Sequence, residues 1–96
     1  MMTIDRLKED ITIDEVVEYL GGRKVSWGTY AHYDTWMPVT CPFHNDENAS
    51  ASMNRAKGRF KCHACDVSGD IVDLAREYLG DGGVRRAMDW LERTFL

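Results

Sequence analysis

Long apolar runs, a leader segment and an even set of cysteines are all missing from this sequence. No stretch reaches the roughly 18 consecutive apolar residues that a membrane-spanning helix needs, and no basic and then apolar segment opens the chain. Three cysteines among 96 residues are too few, and odd in number, for the disulfide scaffold of a secreted protein. The sequence therefore predicts a cytoplasmic protein that has no membrane partner.

An overall excess of basic charge, which is typical of strong nucleic-acid binders, is missing too. Asp and Glu number 16 against 12 Lys and Arg, so the net charge is −4. Four basic residues nevertheless lie close together with no acid among them: Arg55, Lys57, Arg59 and Lys61. The distribution of charge therefore predicts a basic tip on an acidic body.

The length allows one small domain over residues 1–96 and no second one. A core of this size buries only a modest share of the surface of the chain, so small domains often need a staple such as a metal ion. The cysteines and histidines are the candidate ligands for such an ion.

Three helices are predicted from their caps and their apolar spacing, over about 13–20, 70–79 and 84–95. Thr12 and Glu15 form the capping-box pattern before the first helix, and Gly21 supplies its stop. On the second helix, the spacing predicts a buried side made of Ile71, Val72, Leu74, Ala75 and Tyr78.

Strands are predicted between these helices. Residues 24–40 are rich in β-branched and aromatic residues, are interrupted by Gly28 and are ended by Pro38, which predicts short antiparallel strands. A hairpin is predicted over Ala51–Asn54 and Arg59–Cys62, which flank a turn that contains glycine. The predicted class is α+β, a small antiparallel sheet flanked by helices.

The strongest signal in the sequence is a set of four metal-ligand candidates in two matched pairs: Cys41, His44, Cys62 and Cys65. Two residues separate the members of each pair, and 17 residues separate the pairs. Zinc prefers tetrahedral sulfur and nitrogen ligands, and a two-residue gap lets both members of a pair face one ion from a tight turn. Two unrelated turns with free thiols are the alternative, but such turns rarely match in spacing.

We therefore expect one Zn²⁺ ion in a zinc-ribbon-like sheet, with a zinc core over about 36–75. Four protein ligands leave no open coordination position for water or substrate, so the expected role of the ion is structural and not catalytic.

The residues around these ligands resemble a known family. The chain reads Cys41-Pro-Phe-His44, then Asp46, Asn48 and Ser50, then Phe60 before Cys62, and finally Gly69-Asp70-Ile71. In order and spacing, this resembles the CHC-type zinc finger of DnaG-like bacterial and phage DNA primases from residue 41 to about 74. The sequence departs from that family at Glu47, Ala49 and Ala51, which replace basic, proline and aromatic positions.

The resemblance implies a function. In the family, this domain contacts single-stranded template and helps a separate polymerase domain to choose a start site, with the replicative helicase as a further candidate partner. A chain of 96 residues cannot hold that polymerase domain, so we expect a non-catalytic module that assists a primase polymerase in trans. It would be either a fragment or a stand-alone part of a split primase.

The candidates for DNA contact combine cations for phosphates with an aromatic ring for base stacking. They are Arg55, Lys57, Arg59, Lys61 and Trp36. Instead of contacting DNA, the basic residues could form an ordinary solvated turn, and most of the aromatic residues could pack in the core. A zinc-stapled domain that binds a replication protein and not DNA is the alternative function, which the net charge favours.

Overall fold

The computed structural model describes residues 3–23, 36–44, 50–80 and 83–96. Within these residues the chain forms, in order, α1 (Ile4–Asp10), α2 (Ile13–Leu20), β1 (Trp36–Val39), β2 (Ala51–Asn54), β3 (Arg59–Cys62), β4 (Ser68–Gly69), α3 (Ile71–Leu79) and α4 (Val84–Phe95). The α+β class is as predicted. No helix in these described ranges has the length and apolar character needed to cross a bilayer.

The first two helices form a pair at the start of the chain. The sequence predicted α2 with its bounds, and both hydrogen bonds of the capping box between Thr12 and Glu15 are present at 3.3 Å. Gly21 ends α2 in the left-handed region with φ 110°, which glycine adopts at no steric cost. The sequence reading missed α1, which Thr3 caps and which buries Leu7 completely.

The four strands form one antiparallel sheet in the order β1-β2-β3-β4. The hairpin of β2 and β3 has the predicted bounds. Pro38 was predicted to end a strand, but it lies inside β1. Within the described residues β1 is the first strand of the sheet and pairs with β2 alone, and proline is tolerated in a strand where its missing N–H donor is not needed for that pairing. The other strands predicted over 24–35 lie outside the described residues.

Helix α3 begins where the sequence predicted, behind a capping box in which Asp70 accepts from the backbone of Asp73 and Asp73 accepts from that of Asp70. Lys8 of α1 lies 2.7 Å from the other Asp70 oxygen and so ties α1 to this cap. Tyr78 was predicted on the buried side, and that prediction is wrong, because its side chain is 52% exposed. The ring lies at the edge of the core against Trp90 of α4.

Alternation along the strands gives the sheet two unlike faces. The inner face packs against the helices and consists of Met37, Val39, Ala51, Met53, Phe60 and Cys62, all of them buried. The outer face consists of Trp36, Pro38, Ser52, Asn54, Arg59 and Lys61. Cys62 thus belongs to the hydrophobic core, and Lys61 before it does not.

Candidate metal centre and nucleic-acid interface

The two predicted ligand pairs come together at one end of the sheet. Their four ligand atoms lie within 4.8 Å of one another, and the residues concerned are Cys41, His44, Cys62 and Cys65. The first pair follows β1 and the second begins at the last residue of β3. Two neighbouring segments of the fold therefore each place two metal-ligand atoms at the same site.

The first pair is held by the segment that follows α2. The backbone N–H of Thr40 donates to the carbonyl of Arg23 at 2.8 Å, and the Thr40 hydroxyl accepts from the Arg23 N–H at 2.8 Å. Gly22 allows this approach, because a Cβ there would lie 2.9 Å from the Thr40 carbonyl oxygen and would overlap Val17. Cys41, the next residue along the chain, is therefore fixed against the end of α2.

The second pair lies on the turn between β3 and β4. The Cys62 N–H donates to the Val67 carbonyl at 2.8 Å, which closes the turn. Asp66 completes it in the left-handed region with φ 59°, a conformation that aspartate tolerates better than most residues. In the first pair, the ring of Phe43 meets Phe60 edge-on with centroids 6.4 Å apart, which connects that turn to the core.

Two of the six separations between ligand atoms are close to those of a zinc site. The sulfurs of Cys41 and Cys65 lie 3.6 Å apart, and Nε2 of His44 lies 3.4 Å from the sulfur of Cys62. A tetrahedral ion with Zn–S bonds of about 2.3 Å and Zn–N bonds of about 2.0 Å needs S–S and N–S separations of about 3.8 and 3.5 Å. Three thiols and one imidazole at these distances are consistent with one structural zinc ion.

The two buried cysteines differ in acidity. Burial raises the pKa of the Cys41 thiol to about 12. Burial also opposes ionisation of Cys62, but hydrogen bonds from His44, from backbone amides of the turn and from Ser50 outweigh it and lower its pKa to about 6. Zinc binds the thiolate form, so the ion has to displace a proton from Cys41 at neutral pH.

Ser50 also contacts this centre, and the sequence reading assigned it no role there. Its hydroxyl oxygen lies 3.4 Å from Nε2 of His44 and 3.7 Å from the sulfur of Cys62. The sequence held a signal for this placement. Ser50 directly precedes the predicted strand at Ala51, which pairs with Cys62 in the predicted hairpin.

The residues predicted to contact DNA fall into two groups. Trp36, Arg59 and Lys61 share the outer face, and Nζ of Lys61 lies 4.4 Å from the centre of the Trp36 ring, a cation–π distance. Arg55 and Lys57 lie on the hairpin turn, where the Asn54 side chain accepts from the Lys57 N–H at 3.0 Å. Lys57 and Arg59 are exposed, and the other three candidates are half-buried.

An aromatic cluster lies on the helical part of the molecule, and the sequence reading did not foresee it. The rings of Tyr19, Tyr78 and Phe95 each contact Trp90, with centroid separations of 5.1 to 5.8 Å. Tyr19 remains 57% exposed and Tyr78 52% exposed. The cluster joins α2, α3 and α4 and leaves two tyrosine rings accessible to solvent.

Comparison with known proteins identifies the family. Residues 1–83 match the family model of the DnaG zinc ribbon, described as the CHC2 zinc finger. The DNA primase of Helicobacter pylori is 36% identical over 76 residues, which cover 79% of this chain and 12% of that primase. A Mycobacterium phage protein named Gene 58 protein is 42% identical over 45 residues, 47% of this chain and 34% of that protein.

A solved structure agrees with the sequence comparisons. The crystal structure of the Aquifex aeolicus primase, which contains zinc-binding and RNA polymerase domains, is similar with a TM-score of 0.69 and 30% identity. The similarity covers 99% of this chain and 22% of that one. The chain spans about 12% of the length of the bacterial primases that it matches. It belongs to the CHC2 zinc finger family, the zinc-binding domain of DnaG-type DNA primases.

Proposed function

We propose that this chain is the template-recognition module of a DNA primase, and that the outer face of its sheet binds single-stranded DNA. One observation carries the proposal: the outer face, in a chain of this family, presents Trp36 beside Lys61 and Arg59. Cations that follow the phosphates, together with a ring on which bases stack, are the parts from which single-strand sites are built.

The bound strand would run along the hairpin. Lys61 lies next to the metal end of β3, and Arg55 and Lys57 lie on the turn at the opposite end. The strands are four residues long and rise about 3.3 Å per residue. The basic residues therefore form a short track along β3, and no acidic residue occurs between 55 and 61 to weaken it.

In this proposal Cys41, His44, Cys62 and Cys65 bind the zinc ion, and the ion holds the track in shape. It joins the end of β3 to the segment that follows β1, and these strands carry Lys61 and Trp36. With four protein ligands the ion has no open position for a substrate. The module is therefore non-catalytic, and primer synthesis belongs to a polymerase domain.

We place this role in the cytoplasm and pair the module with a polymerase domain in trans or in a longer chain. The similar Aquifex protein contains an RNA polymerase domain besides its zinc-binding domain. In the phage relative, 45 aligned residues already make up 34% of the protein, so that chain is much shorter than the bacterial primases. A role for the replicative helicase stays a prediction.

A titration of the zinc-loaded chain with short fluorescent single-stranded DNA tests the proposal. Anisotropy would be followed at low and at moderate salt, with duplex DNA of the same length as the comparison. We expect binding to the single strand that weakens as salt rises, because phosphate contacts release counterions. Absence of binding at high micromolar protein would contradict the proposal.

The exposed aromatic cluster favours a second function, that of a domain that binds a replication protein and not DNA. Tyr19 and Tyr78 present large rings on the helical side, and aromatic residues are enriched where proteins dock. The net charge of −4 also favours a protein partner over DNA. The DNA titration distinguishes the two functions, and if it fails, a pull-down with the polymerase domain of a primase tests the second one.

A further inference from the structure

Ser50 connects the two halves of the metal centre. Its hydroxyl lies within reach of His44 from the first pair and of Cys62 from the second, at 3.4 and 3.7 Å. Its carbonyl oxygen accepts a hydrogen bond of 3.1 Å from the N–H of His63, inside the second turn. A half-buried serine is thus held by its main chain at a point where its side chain touches two proposed ligands.

Binding of zinc to His44 and Cys62 determines which of these two atoms can accept a hydrogen bond from the Ser50 hydroxyl. When Nε2 of His44 binds zinc, its lone pair is used and it cannot accept a hydrogen bond. The Cys62 sulfur still can, because a metal-bound thiolate keeps further lone pairs. Of the two, only that sulfur then remains as an acceptor for the Ser50 hydroxyl, at a distance suited to an O–H···S bond.

We infer that Ser50 is a positioning residue of the zinc site, whose hydroxyl donates to the Cys62 thiolate and slows the release of zinc. The bond stabilises the thiolate form of the sulfur and fixes its direction towards the ion. Groups that hold metal ligands in this way contribute strongly to metal retention. The inference rests on the ligand set proposed above, since it requires zinc on His44 and Cys62.

The chain supplies a matched control at Ser52. This serine lies two residues further along, on the outer face opposite Lys61, where its partners in the sheet are not ligands. Ser52→Ala removes the same hydroxyl from the same strand region. Ser50→Thr is the conservative variant, because it keeps a hydroxyl on the same carbon.

The first test is the rate of zinc transfer from the folded chain to a chromophoric chelator. We expect Ser50→Ala to release zinc about 10-fold faster than the unaltered chain, with Ser52→Ala unchanged and Ser50→Thr largely restored. Equal rates for Ser50→Ala and Ser52→Ala, with one zinc per chain in each, would overturn the role of Ser50 alone. Unaltered zinc content in Cys62→Ser would overturn the ligand set itself.

The second test uses cobalt in place of zinc and does not depend on how fast the chain opens. A hydrogen bond to a thiolate lowers the energy of its lone pairs. Loss of that bond in Ser50→Ala should therefore move the sulfur-to-cobalt charge-transfer band to longer wavelength. The band should stay in place in Ser52→Ala. A Ser50→Ala spectrum that matches that of the unaltered chain would overturn the inference, whatever the release rate.

Discussion

Phe60 and Lys61 are neighbours on β3, yet they belong to different faces of the sheet, the first to the core and the second to the face proposed to bind DNA. The Phe60 side chain is 1% exposed and packs in the core. Lys61 lies over the Trp36 ring on the outer face. Because side chains alternate along a strand, every second side chain of β3 lies on the inner face in the core and the others lie on the outer face.

If the outer face binds DNA as proposed, residues that stabilise this small domain and residues that recognise its partner lie on opposite faces of one sheet. Two of the proposed zinc ligands, Cys41 and Cys62, are buried and pack in the hydrophobic core. The candidate DNA contacts are confined to the outer face and the hairpin turn. Changes on the inner face should therefore destabilise the fold, and changes of the candidate contacts Trp36, Arg59 and Lys61 on the outer face should mainly reduce binding.

The largest effect is expected from Cys62→Ser, which alters a ligand and the core together. Structural zinc sites contribute about 10–16 kcal/mol of apparent binding free energy, whereas whole domains are stable by about 5–15 kcal/mol. We expect the variant to lose its zinc and to unfold largely at room temperature. Zinc content by atomic absorption and circular dichroism measure both outcomes.

His63 provides the control for that experiment. It lies directly after Cys62 on the same turn, but its side chain is exposed. His63→Ser should keep one zinc per chain and a melting temperature close to that of the unaltered chain. If Cys62→Ser kept its zinc and its melting temperature as His63→Ser is expected to, Cys62 would not be a zinc ligand on which the fold depends.

The next effect in size comes from the neighbouring pair on β3. Phe60 is the largest fully buried side chain among the described residues, and Phe→Ala changes in cores cost about 3–5 kcal/mol. We expect Phe60→Ala to lower the unfolding free energy by this amount. Lys61→Ala should stay within about 0.5 kcal/mol of the unaltered chain, as surface changes usually do.

Chemical denaturation of both zinc-loaded variants measures this difference. Because Phe60 and Lys61 are adjacent on β3, any effect of the position along the strand is common to both changes, and the difference between them reports the side chains. Equal destabilisation by the two changes would mean that Lys61 supports the fold through its contact with Trp36, and the two faces could then no longer be separated by mutation.

Local signals explain why most of the fold could be predicted. The bounds of α2 and α3 follow from a capping box at the start and a glycine at the end, those of α4 follow from its apolar repeat after Gly83, and the β2–β3 hairpin follows from its turn. Helix α1 was missed because charged residues dominate it and only Leu7 is buried. Tyr78 and Pro38 were misjudged because their surroundings depend on tertiary packing: Tyr78 lies against Trp90 of α4, and Pro38 lies in the strand that comes first in the described part of the sheet.

The metal centre was predictable to a similar degree. The four ligand candidates occur as two pairs with the same spacing, and this pattern alone predicts that they share one site. The contact of Ser50 with that centre depends on the register between β2 and β3, which places Ala51 opposite Cys62. The aromatic cluster depends on how three helices pack and has no local sequence pattern.

The smallest expected effect on stability, and the one that isolates the outer face, comes from changing Arg55, Lys57, Arg59 and Lys61 together to Ala. For single strands the slope of log K against log salt changes by about 0.7 for each phosphate contact. Removal of four contacts should therefore flatten the slope by about 3. The melting temperature should change little, because none of the four is buried.

The control for this variant removes the same charge from elsewhere on the chain. Arg6, Arg85, Arg86 and Arg93 are exposed on α1 and α4, and their joint change to Ala alters the net charge by the same amount. If both quadruple variants flatten the slope equally, DNA responds to overall charge and not to a track on the sheet. A loss confined to the hairpin variant would assign the phosphate contacts to the track that runs from Lys61 to the turn.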